Sequence, residues 1–349
     1  MKILVLLLSG VGDVLQATPM LYVLRKRFPL AKITVLAQYR TAAEILRNHP
    51  AIDELIHFHF LNEGHFKSLR FAFNLRKRRF DVCILAYPAN RWQYNLISFL
   101  VGARQRIAHR YDIKRLRSLS FLQSRRLRID FYRHAIEENV KLLELLGVHD
   151  KQYYLTLYFP LTDEHHATAA RFLKGHHLRK PLVGIHAGSS VLSGMANKRW
   201  PKERFAELCD RIAKELRCTL LIFGGNDEEA LKRYLYEHTR HKPVLVPEMS
   251  LQETGALLKH CRLLVCNDTA LMHIAGAVGT KTLVLEGPTN QHKTVPLRNG
   301  GKFLAVDLDC RPCYQIGETL RCKYRQGRYD CLRLLTVDLV FREVREMVA

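Results

Sequence analysis

The stretch Lys2-Ile3-Leu4-Val5-Leu6-Leu7-Leu8-Ser9-Gly10-Val11-Gly12-Asp13 decides how the chain reads. A short unbroken apolar run, closed by Ser and Gly, is the pattern of a strand buried on both faces. Two glycines then let the backbone turn tightly and approach a ligand. Residues 16–27 follow, with Leu21, Leu24 and Phe28 at helical spacing. A buried strand that turns straight into a helix opens a βαβ unit, and therefore a parallel sheet. The run is shorter than the ~7–15 apolar residues of a secretory leader, and Gly-Val-Gly-Asp stands where a cleavage site would be. It is also far short of the ~20 residues that span a bilayer. A cytoplasmic chain is expected.

Outward from this unit the rhythm continues. Strands are expected at 33–37 and 81–86, and helices at 42–48 and 134–146, the last closed by Gly147. After a His-rich polar stretch at 161–180 the pattern restarts. Strands are expected at 182–186, 218–223, 244–246, 263–266 and 282–286, with helices at 201–214, 228–237, 250–260 and 270–278. An amphipathic helix at 332–348 ends the chain. The expected class is α/β: two Rossmann-like, doubly wound parallel-sheet domains at 1–165 and 175–331, then the helix 332–349. A length of 349 residues agrees with two domains at ~150 residues each. Ligands of such sheets bind at the carboxyl ends of the strands, so a cleft between the halves is the expected site.

Composition narrows the partners. The chain has 55 Lys and Arg against 33 Asp and Glu, a net charge of +22. The excess is concentrated: from His65 to His134, 17 Lys/Arg meet only Asp81, Asp112 and Asp130, a net of +14 (17 − 3) in 70 residues. Such a block implies an anionic partner, either nucleic acid, a membrane surface or a phosphorylated substrate; a solvated face is the plain alternative. Nucleic acid is not expected, because no helix-turn-helix, finger or RNA-binding signature is evident. The nine cysteines are an odd number, expected as thiols or metal ligands in a reducing compartment.

Five motifs offer chemistry. Asp13 follows the Gly10/Gly12 turn and reads as a general base or as a first-turn helix acid. Leu15 replaces the third glycine of a dinucleotide fingerprint, so a pyrophosphate cofactor at this turn is not expected. Lys198-Arg199-Trp200-Pro201, after Gly188-Ser189-Ser190, reads as a phosphate clamp with two hydroxyl donors, or as surface cations beside a core Trp. Asn267-Asp268-Thr269-Ala270-Leu271-Met272-His273 runs from a strand end into a helix whose free N–H groups make an anion site; Asp268 alone would be a cap. Phe223-Gly224-Gly225-Asn226-Asp227-Glu228-Glu229 places acids after a glycine pair, suited to ribose hydroxyls or to a turn. Finally, Cys310, Cys313, Cys322 and Cys331 read as four ligands for one structural zinc or iron, or as free thiols.

Taken together, Gly10–Leu15, Lys198-Arg199-Trp200-Pro201, Phe223-Gly224-Gly225, the segment from Asn267 to His273, and Gly287-Pro288-Thr289 resemble the ADP-heptose:lipopolysaccharide heptosyltransferases, glycosyltransferase family 9. The resemblance runs in order from residue 1 to about 331. It implies a GT-B fold and inverting glycosyl transfer with no cofactor required for catalysis. It also implies a nucleotide-sugar donor, with ADP-heptose the expected one, in the C-terminal half and a lipopolysaccharide core or lipid A acceptor in the N-terminal half. On that footing Asp13 is the base. Ser189, Ser190, Lys198, Glu228, Asp268, Thr269, Ala270, Leu271 and His273 bind the donor, although Asp227, Glu228 and Glu229 are not separable by spacing. The stretch 104–133, with Arg104, Arg106 and Arg110, joins Gly10 and Gly12 on the acceptor side and faces the anionic inner surface of the cytoplasmic membrane. Family members that heptosylate autotransporter proteins carry an iron-binding Cys finger and usually an extra N-terminal region. The chain opens directly at its first strand, which points to the lipopolysaccharide branch, with protein heptosylation or nucleic-acid binding as the alternatives.

Overall fold

The computed structural model describes residues 1–60, 62–111, 118–149, 156–178, 180–294, 300–314, 318–322, 324 and 327–349. The chain divides into two units, Met1–Tyr158 and Phe159–Ala349.

In the first unit, apolar runs become β1 (Lys2–Leu7), β2 (Lys32–Ala37), β3 (Glu54–His57), β4 (Val82–Leu85), β5 (Gln105–Arg110) and β6 (Arg125–Arg128). They form one parallel sheet of order β3-β2-β1-β4-β5-β6, with Ile3 of β1 level with Ile33 and Val82. Alternation in the central strand feeds two cores. Ile3, Val5 and Leu7 pack under α1 (Val11–Arg27), α2 (Arg40–Leu46) and α5 (Ala135–Lys141), against Leu21, Leu24, Leu46 and Val140. Leu4 and Leu6 pack under α3 (Gly64–Arg76) and α4 (Trp92–Val101), against Leu75, Ile97 and Val101. A strand covered on both faces keeps no polar alternation, which is why β1 reads as a solid apolar run.

The second unit repeats the design. It begins with α6 (Asp163–Gly175), and its sheet contains β7 (Leu182–His186), β8 (Thr219–Ile222), β9 (Val244–Leu245), β10 (Leu263–Asn267), β11 (Lys281–Leu285) and β12 (Lys302–Leu304). Between them lie α7 (Lys202–Glu215), α8 (Glu229–His238), α9 (Leu251–Leu258), α10 (Ala270–Val278) and α11 (Gln291–Thr294). The order β12-β11-β10-β7-β8-β9 is the first unit's order in this unit's own chain sequence, the doubly wound arrangement. The sheet has six strands, one more than the apolar runs announce. After α12 (Asp330–Arg333), the amphipathic α13 (Val337–Val348) lies against α7, β10 and β11, and its Val340, Phe341 and Val344 enter the second core.

Two local differences have physical causes. The basic block contains α3, α4, β5 and β6, because Lys and Arg hide the apolar period of β5 and β6; residues 112–117 of that block lie outside the described residues. The expected helix 134–146 is α5 continued as a 3₁₀ turn, Leu142–Leu146, and it ends at Gly147 with a left-handed φ of 77°.

Phe341 is 3% exposed and Arg211 lies over its ring at 4.1 Å. Phe341→Ala should cost about 3–5 kcal/mol, the usual range for emptying a packed aromatic site. Thermal or urea unfolding should show that loss in the second unit's transition.

Candidate active site

In the first unit Asp13 follows the carboxyl end of β1, and the parallel neighbours β4 and β5 end on the same edge of the sheet. Helix α1 starts at Val11 with Gly10 as its N-cap and no side-chain cap bond, so Asp13 is a partly buried first-turn residue. Gly10 has φ −66° and ψ 172°, which any residue adopts, and a Cβ there would meet nothing within 4 Å. The turn therefore does not require glycine; its bareness leaves open space next to Asp13. Tyr94 of α4 and Tyr111 after β5 feel the Asp13 charge. Burial, with Asp13 adding to it, raises both phenols. Tyr111 is fixed by the Ala89 N–H at 2.8 Å. Arg110, the last residue of β5, stands on the same edge of the sheet. Arg104 and Arg106 stand at the amino end of β5, roughly 15 Å away at ~3.3 Å per residue, so the structure does not bring them to Asp13. The Arg106 guanidinium donates to the Leu122 and Ala103 carbonyls at 3.1 and 2.9 Å and is committed to the fold.

In the second unit four strand ends meet. Asn267, fully buried at the end of β10, accepts the Trp200 N–H at 2.8 Å and donates to the Ala187 and Gly188 carbonyls at 2.8 and 3.2 Å. It ties the loop carrying Lys198 to the end of β7. Lys198 Nζ then lies 3.1 Å from Asp268 Oδ2, with both side chains only 13% and 12% exposed. Burial works to raise the Asp268 carboxyl. The charge and hydrogen bond of Lys198, helped by His273 and Thr289, outweigh it and hold the group below the usual range. Thr269 caps α10 without a side-chain bond to the helix; its hydroxyl lies 3.2 Å from His186 Nδ1 instead. The first N–H groups of α10 thus have no side-chain cap, as an anion site requires. Ala270 is partly exposed at this start, whereas Leu271 and His273 are buried.

Among the three acids after Gly224-Gly225, the fold selects Glu228. Its Oε2 accepts from Gly225 N–H at 3.3 Å and lies 2.9 Å from His186 Nε2, while Arg199 lies 3.8 Å from Oε1. Burial pushes the carboxyl up, and His186, the Gly225 amide and Arg199 pull it down further, leaving it below its ordinary value. A Cβ on Gly188 would sit 1.7 Å from Glu228 Oε1, so this glycine makes room for the acid. Asp227 is exposed, and Glu229 pairs with Lys232 at 2.9 Å. Ser189 is also spent. Its hydroxyl donates to the Met195 carbonyl at 2.9 Å and accepts from Arg199 Nε at 3.1 Å, whereas Ser190 is exposed and accepts from Leu192 N–H.

Glu286 carries a role that sequence spacing does not disclose. It is fully buried after β11, accepts from the Thr289 hydroxyl at 3.1 Å, and has Arg311 at 3.9 Å. Burial and the neighbouring Asp268 charge push its carboxyl up to about 8, against the pull of Arg311, Thr289 and Lys198. At neutral pH it is therefore mostly a neutral acid. Only an unexpected acid directly after a buried strand hinted at it.

The structure does not support the shared metal site expected at the cysteines. Cys310, Cys313, Cys322 and Cys331 line one pocket with Arg311, Tyr324 and Tyr329. Among the described residues, however, no group of three or more His, Cys, Asp or Glu side chains is arranged to hold an ion. Cys331 is buried in α12 within the second core, where burial pushes its thiol up to about 11, and Cys322 Sγ donates to the Tyr324 carbonyl at 3.0 Å. The nine cysteines, all among the described residues, form no disulfide.

Comparison with known proteins bears on both edges. Residues 68–324 match the profile of glycosyltransferase family 9 (heptosyltransferase). The chain is 27% identical to lipooligosaccharide heptosyltransferase 2 of Haemophilus ducreyi, over 100% of both chains. It is similarly 27% identical to lipopolysaccharide heptosyltransferase 2 of Salmonella typhimurium, over 100% of this chain and 99% of that one. Among solved structures, a family 9 glycosyltransferase from Veillonella parvula superimposes with a TM-score of 0.80 at 24% identity, over 99% of this chain and 97% of that one.

The raised Glu286 carboxyl makes stability depend on pH. The unfolded group ionises near its ordinary value, whereas the folded group keeps its proton to about 8. Its contribution is complete below about pH 4.5 and is lost as pH rises toward 8. Glu286→Gln should flatten that decline and gain on the order of a few kcal/mol at pH 8, read as the difference between wild-type and variant unfolding curves at pH 5 and pH 8.

Proposed function

Because the chain belongs to glycosyltransferase family 9, we propose that it transfers a heptose from a nucleotide-heptose, ADP-heptose, to the lipopolysaccharide inner core at the cytoplasmic face of the membrane. The observation that carries this reading is the buried Lys198–Asp268 pair at the uncapped start of α10. That arrangement places a fixed cation beside a helix start without a side-chain cap, which suits a diphosphate whose charge grows as it leaves. Full-length similarity to lipooligosaccharide and lipopolysaccharide heptosyltransferases supports heptose and a lipopolysaccharide acceptor. It favours them over protein heptosylation and over nucleic-acid binding.

The proposed step is a single displacement. An acceptor hydroxyl oxygen attacks the anomeric carbon, the bond from that carbon to the diphosphate oxygen breaks, and configuration inverts. Asp13 takes the hydroxyl proton as the new bond forms. Lys198 and the α10 amides receive the negative charge of the departing diphosphate. Asp268 orients Lys198 and is backed by His273 and Thr289. Glu228, kept ionised, accepts from ribose hydroxyls through Oε1, since Oε2 already holds two bonds. Arg110 is the basic residue placed to meet an acidic acceptor beside Asp13. Ser190 and the Gly10/Gly12 turn border the substrates, while Ser189, Leu271 and Ala270 shape the loops that carry them. Because Lys198 and helix amides supply the positive charge, chelating divalent ions should leave turnover unchanged.

Asp13→Asn should keep donor binding by calorimetry and lose ~10²–10⁴ in turnover, the usual worth of a positioned base. Lys198→Ala should lose ~10²–10³ in turnover, as expected when a preorganised charge is removed. Near-normal turnover in Asp13→Asn would exclude it as the base. A calorimetric panel in which ADP-heptose binds no better than uridine or guanosine diphosphate sugars would overturn the assigned donor.

A further inference from the structure

Helix α3 reads Gly-His-Phe-Lys-Ser-Leu-Arg-Phe-Ala-Phe-Asn-Leu-Arg over Gly64–Arg76. Ala72 and Leu75 are its buried residues and face the sheet. At 3.6 residues per turn the opposite side carries Phe66, Leu69 and Phe73, spaced i, i+3, i+7. They are 79%, 44% and 46% exposed. Lys67, Arg70 and Lys77 border this stripe and are exposed; α3 itself contains no acidic residue, and Glu63, just before it, pairs with Lys67 at 3.3 Å on the exposed surface. The neighbouring α4 adds Trp92 and Phe99, at 44% and 40% exposure, to the same side of the sheet. A concentrated apolar surface of this kind marks a binding face rather than ordinary scatter. Transfer chemistry at the strand ends uses none of these side chains.

We propose that α3 is an interfacial helix that docks the protein on an anionic lipid bilayer, with Phe66, Leu69 and Phe73 at the acyl boundary and Lys67, Arg70 and Lys77 on the headgroups. Charge complementarity selects this occupant. A second copy docking by the same face would, under two-fold symmetry, oppose Lys67, Arg70 and Lys77 with the same residues and repel. A bilayer surface instead rewards each cation and each buried apolar group together. Among the described residues no helix is long and apolar enough to cross a membrane, so the attachment is to the surface. The assignment adds α3 to the lipid-facing side expected at 104–133, where Phe121, Phe131 and Tyr132 are exposed as well. It rests on the transfer reading only in that a lipid-linked acceptor gives surface docking a purpose.

The test is flotation of the full chain with vesicles of phosphatidylethanolamine and phosphatidylglycerol, against vesicles of phosphatidylcholine alone. Wild type should float with the anionic vesicles and far less with the neutral ones. Phe66→Ser with Leu69→Ser and Phe73→Ser should lower partitioning at least ~tenfold, given the apolar area withdrawn. Lys67→Gln with Arg70→Gln and Lys77→Gln should lower it comparably on anionic vesicles and abolish its salt sensitivity. Phe66→Ser alone, at the most exposed of the three positions, guards against a fold defect in the triple variant and should still weaken flotation. Wild type that stays with the soluble fraction overturns the proposal, as does unchanged flotation of the apolar variants. So does self-association through α3 without vesicle binding, seen by light scattering. Donor calorimetry does not involve α3, so loss of donor binding would count against the transferase reading alone, and loss of flotation against the docking face alone.

Discussion

Burying charge at the carboxyl edge of the second sheet is the constraint on which the rest depends. Three cationic side chains, Lys198, Arg199 and Arg311, lie there with Asp268 and Glu228 ionised and Glu286 held neutral. Isolated buried charges cost far more than a domain can absorb unless they are paired. The structure meets that cost with geometry: Asn267 pins the Lys198 loop to β7, Gly188 vacates the space that Glu228 fills, and His186 bridges Glu228 to Thr269. What is left is a surplus of positive charge beside a helix start that no side chain caps. A site with that surplus is preorganised for an anion, and the developing charge of a leaving diphosphate is the one it matches best.

Much of this was legible because it depends on local pattern. The helix expected at 270–278 is α10 to the residue, and the strand expected at 182–186 is β7. In both, an apolar period runs cleanly between turn residues. Strand β6, Arg125-Arg126-Leu127-Arg128, has no such period: it is an edge strand with three arginines and little buried surface. Edge strands carry charge to resist pairing with other chains, and that protection erases the signal by which strands are read.

The site was legible as a set of motifs but not as a set of partners. Spacing alone could not separate Asp227, Glu228 and Glu229; what separates them is the Gly225 amide and the gap at Gly188, contributed by the loop after β7 about forty residues earlier. Ser189 reads as a hydroxyl donor in sequence, yet its hydroxyl is consumed by Met195 and Arg199. Glu286 gave the least warning, since its neutrality comes from burial and from the proximity of Asp268, which no linear pattern encodes. The cysteine spacing brings four thiols to the lining of one pocket, but among the described residues they are not arranged as a metal-ligand set.

The net charge of +22 needs the same correction from composition to structure. Within the basic block many cations are already engaged. Arg78 is paired with Glu54, Arg133 reaches Glu138, Arg125 donates to the Leu145 carbonyl, and Arg106 holds two carbonyls. An engaged guanidinium still contributes to the far field, but it offers little to a ligand at contact, because its donors are taken. Contact binding is carried instead by cations whose donors face solvent and whose neighbours give the partner something more than charge. In the first unit that description fits Arg70 and Lys77 beside Phe66, Leu69 and Phe73 better than it fits Arg106. Charge counts locate a partner's sign; the exposed apolar side chains beside the charge say what kind of surface the partner presents.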